Sequence, residues 1–253
     1  KHSRVVPGCA LMLEKLFTDA GFPKDVFQNV FTDEQGVSYL LPQMQGVTLT
    51  GSVEAGKNIA AQAGKHLKPF VLELGGSDPF IVLADADVVQ AAKTAVKARF
   101  LNCGQSCIAA KRFIVVKNHI KTFTDVVVQE AGKFVLGNPL ESETTLSPLA
   151  REEQVKHLDK QVKQALKQGA KLLLGGKRLQ REGYFYEPTV LTNVKSTNVL
   201  FQEEVFGPVM SIIAAKDDLE ALRLANQSTF GLGASVWTKD LKKAEAFAQQ
   251  LEA

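Results

Sequence analysis

Two side chains in this sequence are suited to covalent chemistry on a carbonyl carbon. Cys107 comes after Gly104-Gln105, where no bulky side chain crowds the backbone, and the small residues Ala109 and Ala110 follow, so its sulfur can be presented to a tight pocket. Its thiolate would be the nucleophile. A thiolate alone forms a thioester and stops, whereas a carboxylate that activates water can hydrolyse it. Glu73 lies 34 positions earlier, where an apolar run ends on two glycines, and is the candidate general base.

Each of these signals also has a simpler interpretation. A lone cysteine in an intracellular chain is usually a small buried packing residue, which is one possibility for Cys107. A glutamate at the end of a strand is usually a solvated charge at the rim of the sheet, which is one possibility for Glu73. The residue types alone leave both alternatives open.

The stretch Thr50-Gly51-Ser52 is a candidate phosphate-binding turn. It joins a β-branched run to the start of a helix, where Gly51 permits a tight turn and Ser52 is a favourable N-cap. The free N–H groups at the start of a helix attract phosphate oxygens. An ordinary capped helix without a ligand is the alternative.

Composition excludes several classes of protein. The chain has 253 residues, of which 45% are hydrophobic and 23% charged, which is typical of one large or two modest globular domains. A net charge of +3, with lysines interspersed among acidic residues, indicates neither a nucleic-acid nor a membrane partner. The three cysteines, Cys9, Cys103 and Cys107, are too few and too irregularly spaced for a disulfide framework or a zinc site. We therefore expect a cytoplasmic protein without a metal.

The elements that must position these residues alternate between helices and strands. Periodicity predicts helices at residues 8–19, 33–41, 52–66, 88–96, 120–134, 155–166, 218–226 and 241–251. It predicts strands at residues 26–31, 46–50, 69–74, 79–83, 112–116, 172–174, 185–191, 209–214 and 234–237. This alternation favours an α/β protein with a parallel, doubly wound sheet.

Four motifs together carry a resemblance that covers the whole chain. Leu72-Glu73-Leu74-Gly75-Gly76 followed by Phe-x-x-x-Gly-Gln-x-Cys, which ends at Cys107, resembles the paired signature of the aldehyde dehydrogenase superfamily. The resemblance implies the three-layer fold of that family, with residues 1–74 as the second half of a Rossmann-like dinucleotide-binding domain and residues 75–253 as the α/β catalytic domain. The first half of the cofactor domain and the C-terminal part of the catalytic domain are then missing. The complete parent enzyme is expected to be a homodimer or homotetramer.

The resemblance also implies the cofactor contacts. Thr-Gly-Ser-x-x-x-Gly is similar to the turn that meets the pyrophosphate, which assigns Gly51 and Ser52, and Leu74 is carried over as a further contact. The sequence Glu-Glu-Val-Phe-Gly-Pro resembles the motif whose second glutamate binds the nicotinamide ribose and whose phenylalanine leans on the cofactor. Glu204 and Phe206 take these roles.

The adenosine end of the cofactor falls near the start of the chain. Lys1, Pro7 and Ala10 match a family pattern that follows the strand whose end receives the adenosine ribose. Many NAD-preferring members carry an acidic residue three places after the lysine, where this chain has Arg4. Since a guanidinium can pair with a 2′-phosphate, we expect NADP to be accepted beside NAD. A solvated arginine near a chain end is the alternative.

The substrate is predicted to be a small aldehyde. Ser77 follows the double glycine, as in the bacterial succinate-semialdehyde dehydrogenase branch of the superfamily, and Arg99 could face the distant carboxylate of such a substrate. Leu101 stands where mammalian enzymes with this activity have an arginine. Cys103 is either a packing residue or the partner of Cys107 in a reversible disulfide. An inactive remnant, or a binding module that keeps only the fold, is the competing functional hypothesis.

Overall fold

Two compact units divide the chain, Lys1–Leu74 and Gly75–Ala253, in a computed structural model that describes residues 1–253. Their proposed roles as cofactor and catalytic domains stay predictions. The first unit contains α1 (Pro7–Asp19), α2 (Glu34–Leu40), β1 (Val47–Thr50), α3 (Val53–Lys65) and β2 (Phe70–Glu73). None of the helices in the protein combines the length and the apolar character that crossing a bilayer requires.

The two strands of the first unit are joined by α3 and lie parallel. Their register runs from Val47 opposite Phe70 to Thr50 opposite Glu73. Because parallel strands end at the same edge, the turn after β1 and the end of β2 are neighbours. The N–H of Gly51 donates to the carbonyl of Glu73 at 3.0 Å, which fixes that neighbourhood.

The predicted strand at residues 26–31 is wrong. This segment has no strand partner, and α1 binds the polar groups of Asn29 instead. The backbone N–H of Asn29 donates to Glu14 Oε2 at 3.0 Å, and the Asn29 side-chain amide donates to the carbonyl of Ala10. Asp25, at φ +70°, turns the chain sharply just before the segment.

The second unit holds most of the chain. Its elements are β3 (Pro79–Val82), α4 (Val88–Phe100), β4 (Arg112–Val116), α5 (Ile120–Ala131), α6 (Glu152–Lys167), β5 (Lys171–Leu174), β6 (Thr189–Thr192), α7 (Val199–Gln202), β7 (Val209–Ala215), α8 (Asp218–Asn226), β8 (Ser235–Trp237) and α9 (Leu241–Ala248). The short helix α7 was not predicted, because four residues are too few to show a helical period.

One six-stranded sheet organises this unit in the order β5-β6-β7-β4-β3-β8. All neighbours are parallel except β5 and β6, which are antiparallel. The prediction of a parallel sheet is therefore correct for five strands and wrong for β5. The strand predicted at residues 185–191 begins only at Thr189, because Pro188 has no N–H to contribute to a ladder.

The core of the second unit lies on the central strands. Every residue of β3 and β4 is buried, as expected for parallel strands covered on both faces by helices. The ring of Phe80 in β3 lies 5.5 Å from Phe113 and 5.3 Å from Trp237, so aromatic contacts link β4, β3 and β8. The amino ends of the parallel strands β3 and β4 therefore lie side by side, and the loop that enters β4 there carries Cys107.

Candidate active site

Cys107 lies in the loop between α4 and β4, and its side chain is half-buried. A short 3-10 turn, Leu101–Gly104, follows α4, and three consecutive residues in it, Asn102, Cys103 and Gly104, have positive φ values of +52°, +55° and +69°. Non-glycine residues adopt this region at an energetic cost, so the surroundings must hold it in place. The loop is therefore a fixed structure rather than a free connection.

A buried arginine supplies much of that fixation. Arg99 is 0% exposed, and its guanidinium donates to the carbonyls of Gly104 and Val205 at 2.9 Å, to that of Ala110 at 3.0 Å, and to that of Gly207. Burial lowers the pKa of Arg99 to about 10, so it remains charged at neutral pH. Arg99 thus ties both sides of the Cys107 loop to the segment that follows Glu204.

This position of Arg99 corrects the prediction that it faces a substrate carboxylate. Both terminal nitrogens of the guanidinium are occupied by backbone carbonyls, and the side chain has no solvent-accessible surface. A substrate carboxylate could reach it only after the loop had come apart. Sequence spacing placed Arg99 near the nucleophile correctly but could not give the direction of its side chain.

The double glycine after Leu74 is required by close packing against two predicted site residues. A Cβ on Gly75 would overlap the carboxylate of Glu204, and a Cβ on Gly76 would lie 2.7 Å from the carbonyl oxygen of Cys107. The Gly76 N–H donates to Glu204 Oε1 at 3.2 Å. The structure therefore brings the Cys107 loop, Glu204 and Gly75-Gly76 together within the second unit.

Lys111 completes this group, and sequence reasoning missed it. Its ammonium, which is fully buried, donates to the carbonyls of Ser106 (3.0 Å), Cys107 (2.8 Å) and Ala109 (3.0 Å), and it lies 3.7 Å from Glu204 Oε1. Burial, with the nearby charge of Arg99, lowers the pKa of Lys111 to about 8. The only signal in the sequence was a pair of basic residues, Lys111-Arg112, at the start of an apolar strand.

Asp78 is a second buried charge that the sequence did not indicate. Its side chain is 8% exposed, and desolvation raises its pKa to about 6 in spite of the positive charges of Lys111 and Arg112. Ser77 is also buried, and its hydroxyl makes no hydrogen bond, so its side chain fills space in the unit.

Glu203 and Glu204 are adjacent in the sequence but make different contacts. Glu203 Oε2 accepts a hydrogen bond of 2.9 Å from Gln161 Nε2, which also donates to the Glu204 carbonyl at 3.1 Å. Gln161 therefore anchors the backbone while the Glu204 carboxylate faces Gly76 and Lys111. Phe206 is half-buried beside them.

Cys103 is 2% exposed, and burial raises its pKa to about 12. Thiol–disulfide exchange requires a thiolate, so this environment disfavours the reversible disulfide with Cys107. The packing interpretation of Cys103 is the better supported of the two alternatives.

Four predicted residues of the first unit, Gly51, Ser52, Glu73 and Leu74, lie at the ends of β1 and β2. Glu73 is the last residue of β2 and is exposed, and Ser52 Oγ caps α3 by accepting from the Ala55 N–H at 3.2 Å. The side chain of Leu74 packs so closely on Gly56 that a Cβ there would lie 2.6 Å away. Around Gly51 the unit thus presents a helix N-terminus beside a carboxylate.

Lys1 and Arg4 line one surface cavity of the first unit, together with His2, Pro7 and residues 30–32. Both basic side chains are exposed, and the His2 ring packs edge-on against Phe31 at 4.6 Å. The cavity offers positive charge and an aromatic wall. Nowhere in the protein do three or more His, Cys, Asp or Glu side chains form a group that could hold a metal ion.

Comparison with known proteins gives a consistent result. The model of the aldehyde dehydrogenase family matches residues 1–253. The chain is 47% identical to the succinate semialdehyde dehydrogenase [NAD(P)+] Sad of Escherichia coli and 46% identical to the succinate-semialdehyde dehydrogenase [NADP(+)] of Mycobacterium avium, in each case over 100% of the chain. It covers 55% and 54% of these two proteins, so the chain spans about half the length of the curated relatives it matches.

Solved structures agree with this. The succinic semialdehyde dehydrogenase of Streptococcus pyogenes in complex with NADP+ matches with a TM-score of 0.96 and 35% identity, over 99% of this chain and 55% of that one. A structure of Gox0499 matches with a TM-score of 0.95 and 45% identity, over 97% of this chain and 54% of that one. The predicted α/β fold, with its three-layer family architecture, is thereby confirmed. Since the family model spans every residue, the chain belongs to the aldehyde dehydrogenase family.

Proposed function

We propose that this chain carries the nucleophile and cofactor contacts of an NAD(P)-dependent aldehyde dehydrogenase that oxidises succinate semialdehyde to the acid. The observation that carries the proposal is the packing of the Cys107 loop against Glu204 and Gly75-Gly76. A half-buried thiol and a carboxylate lie there on segments that are packed together within the second unit. The inactive remnant is the alternative that the experiment below addresses.

Covalent capture is the first task of the site. Cys107 Sγ, as the thiolate, attacks the aldehyde carbon, and the carbonyl oxygen takes up the negative charge. The Cys107 N–H donates to no group within the protein, so it is available to that oxyanion. The three carbonyls bound by Lys111 fix the loop, so the N–H and the sulfur keep their relative orientation during the attack.

The residues present fit a dinucleotide. The N-terminus of α3 with Ser52 and Gly51 suits a pyrophosphate, Glu204 and Phe206 suit the nicotinamide ribose and ring, and Leu74 contributes an apolar contact. When bound, NAD(P)+ would supply the hydride acceptor that lets the tetrahedral carbon on Cys107 become a thioester. Lys1 and Arg4, with their positive cavity, favour acceptance of the 2′-phosphate of NADP.

We assign to Glu73 the role of general base in the hydrolysis of the thioester. Its exposed carboxylate at the end of β2 has access to water, and as a general base it removes a proton while the water oxygen attacks the thioester carbon. The products are the carboxylic acid and the regenerated thiolate. A coenzyme-A-dependent branch would not need this base, so Glu73 favours hydrolysis.

The choice of succinate semialdehyde is supported by the relatives, whose names state that substrate, and by the Ser77 variant of the motif. It is no longer supported by Arg99, which is buried. The group that would bind the substrate carboxylate is thus not identified among the predicted residues.

The experiment is a reduced-cofactor absorbance assay with succinate semialdehyde and butanal, each with NADP and with NAD. It uses this chain and any longer product of the same gene. Cys107→Ser should abolish turnover, whereas Cys9→Ser, which removes an exposed thiol in the first unit, should not. Glu73→Gln should keep the burst of reduced cofactor but slow the steady state.

Four results would count against the proposal. Turnover in Cys107→Ser would exclude the nucleophile, and an unchanged steady rate in Glu73→Gln would exclude the base. Equal or better turnover of butanal would exclude the semialdehyde. No turnover in any form, with Cys107 shown to be reduced, would favour the inactive remnant.

A further inference from the structure

Lys111 is a charged side chain in an unusual position. Its side chain has no exposed surface, yet it carries an ammonium group, which costs several kcal/mol to bury without compensation. Such a cost is tolerated when hydrogen bonds and an opposite charge surround the group. Three carbonyls and the Glu204 carboxylate supply them here.

The partners of Lys111 are not scattered over the protein. The three carbonyls belong to Ser106, Cys107 and Ala109, which are the residues on both sides of the nucleophilic sulfur. The carboxylate belongs to Glu204, which lies 93 positions further along the chain (204 − 111 = 93). One ammonium group therefore connects the nucleophile loop with the proposed ribose contact.

Arg112 is a second buried cation, and its hydrogen bonds show that burying a positive charge does not by itself require contacts with the nucleophile loop. The neighbouring guanidinium donates to the carbonyls of Ser77, Leu224 and Ala225 at 2.8 to 3.0 Å, and it lies over the ring of Phe201. Arg112 is as deeply buried as Lys111, but it joins α8 to the start of β3 and touches neither the Cys107 loop nor Glu204. The two adjacent cations thus differ in what they hold.

We propose that Lys111 is a positioning residue of the reaction, whose ammonium sets the Cys107 loop and the Glu204 carboxylate in a single arrangement. This inference rests on the proposed function, because it gives Lys111 its role through Cys107 and Glu204. Lys111 touches no reacting atom itself. Its charge acts through the carbonyls and the carboxylate that it binds.

The charge of Lys111 titrates in an accessible range. The groups that face it are the carboxylates of Glu204 and Asp78, the guanidinium of Arg99 and the thiol of Cys107. Burial and Arg99 lower its pKa to about 8, while the other three groups act in the opposite direction. Above that pH the neutral amine has one N–H fewer and no charge, so it cannot satisfy all three carbonyls and balance Glu204.

Two variants separate hydrogen bonding from charge. Lys111→Met keeps the apolar stem and removes both, and Lys111→Gln keeps an N–H donor without the charge. Arg112→Lys is the matched control, because it loses carbonyl bonds of a buried cation that lies outside the site. Urea unfolding followed through Trp237, the single tryptophan, shows which variants are folded.

The first readout is amide hydrogen exchange of the peptide that spans residues 104–110. Lys111→Met should speed its exchange by about 10-fold or more, since a local opening then breaks three fewer bonds. Lys111→Gln should restore part of the protection, and Arg112→Lys should leave this peptide unchanged. This measurement does not depend on turnover, so it tests the inference even if the proposed function fails.

The second readout is kinetic. In whichever form of the protein oxidises the aldehyde, this chain or a longer product of the same gene, Lys111→Met should lower kcat by about 10- to 100-fold. A nucleophile displaced by a fraction of an ångström loses its alignment with the substrate. The KM for the aldehyde should change little. The ratio of wild-type to Lys111→Met kcat should be constant below pH 7 and should fall as the pH rises through about 8.

Unchanged exchange at residues 104–110 in folded Lys111→Met would overturn the inference. So would wild-type kcat, or an equal loss of kcat in Arg112→Lys. If Lys111→Met does not fold, the same criteria apply to Lys111→Gln. By contrast, turnover that survives in Cys107→Ser would overturn the proposed function and leave the exchange result on Lys111 standing.

Discussion

The close contact between the nucleophile loop and the segment after Glu204 can be tested at Gly104. This residue has φ +69°, and a Cβ on it would overlap the carbonyl of Gly207 and lie 2.6 Å from Arg99 Nη2. Gly104→Ala must therefore accept a left-handed alanine and also separate two segments that Arg99 holds together. Gly169 is the matched control, because it has φ +94° but nothing within 4 Å of a Cβ.

The expected free-energy difference follows from these two environments. The left-handed conformation costs an alanine about 1 to 2 kcal/mol, and this applies to both positions. The lower entropy of the unfolded alanine chain offsets about 0.4 to 1 kcal/mol in both. Gly104→Ala alone adds the cost of overpacking, about 1 to 3 kcal/mol. We expect Gly104→Ala to be about 2 kcal/mol less stable than Gly169→Ala.

Urea denaturation with linear extrapolation measures this difference. Trp237 is a suitable probe, because it stacks on Phe80 in the same unit as both glycines. The comparison is valid if the two variants have the same m-value. A difference below about 0.5 kcal/mol would mean that the loop yields at no cost, which would refute the claim that Arg99 holds it rigidly.

Two further predictions concern the cofactor and the stability at low pH. Arg4→Glu should lower kcat/KM for NADP by about 10-fold or more relative to that for NAD, since a charge-assisted hydrogen bond contributes about 1.5 to 3 kcal/mol. Lys15→Glu makes the same charge change at an exposed position in α1 and should not lower it. Equal losses of kcat/KM for NADP in the two variants would contradict the prediction. The hydrogen bond from Thr238 and the contact with Lys243 lower the pKa of Asp85, so the stability that this carboxylate contributes is present above its unfolded pKa, near 4, and is lost as the pH falls below it. Asp85→Asn should therefore be less stable than the wild type by at most about 1 kcal/mol at pH 6, because the site is partly exposed, and in urea unfolding this difference should narrow progressively as the pH falls from about 4 to about 2; a difference as large at about pH 2 as at pH 6 would exclude the carboxylate as its source.

Most of the regular structure could be predicted because helix and strand periods are local. The helical period of apolar residues in α3 and α6 and the continuous apolar run of β4 are visible in the sequence, and so are the N-caps Ser52 and Asp87. The prediction of a strand at residues 26–31 is wrong because an apolar run indicates a strand whether or not a partner strand exists. The predicted parallel direction of β5 is wrong because its pairing with β6 depends on a connection of 14 residues (189 − 174 − 1 = 14). The course of such a connection leaves no periodic pattern in the sequence.

The candidate site divides in the same way. The sequence alone determined the candidates Cys107, Glu73 and Glu204, because the motifs around them resemble those of the aldehyde dehydrogenase family, and their roles stay predictions. Tertiary structure decided what lies beside them. Arg99 binds the carbonyl of Val205, 106 positions away, and Lys111 faces Glu204, and neither side chain has a direction until the two segments pack together. The partners of a buried cation are the polar groups that the folded chain brings within hydrogen-bonding distance, and those distances exist only in the tertiary structure.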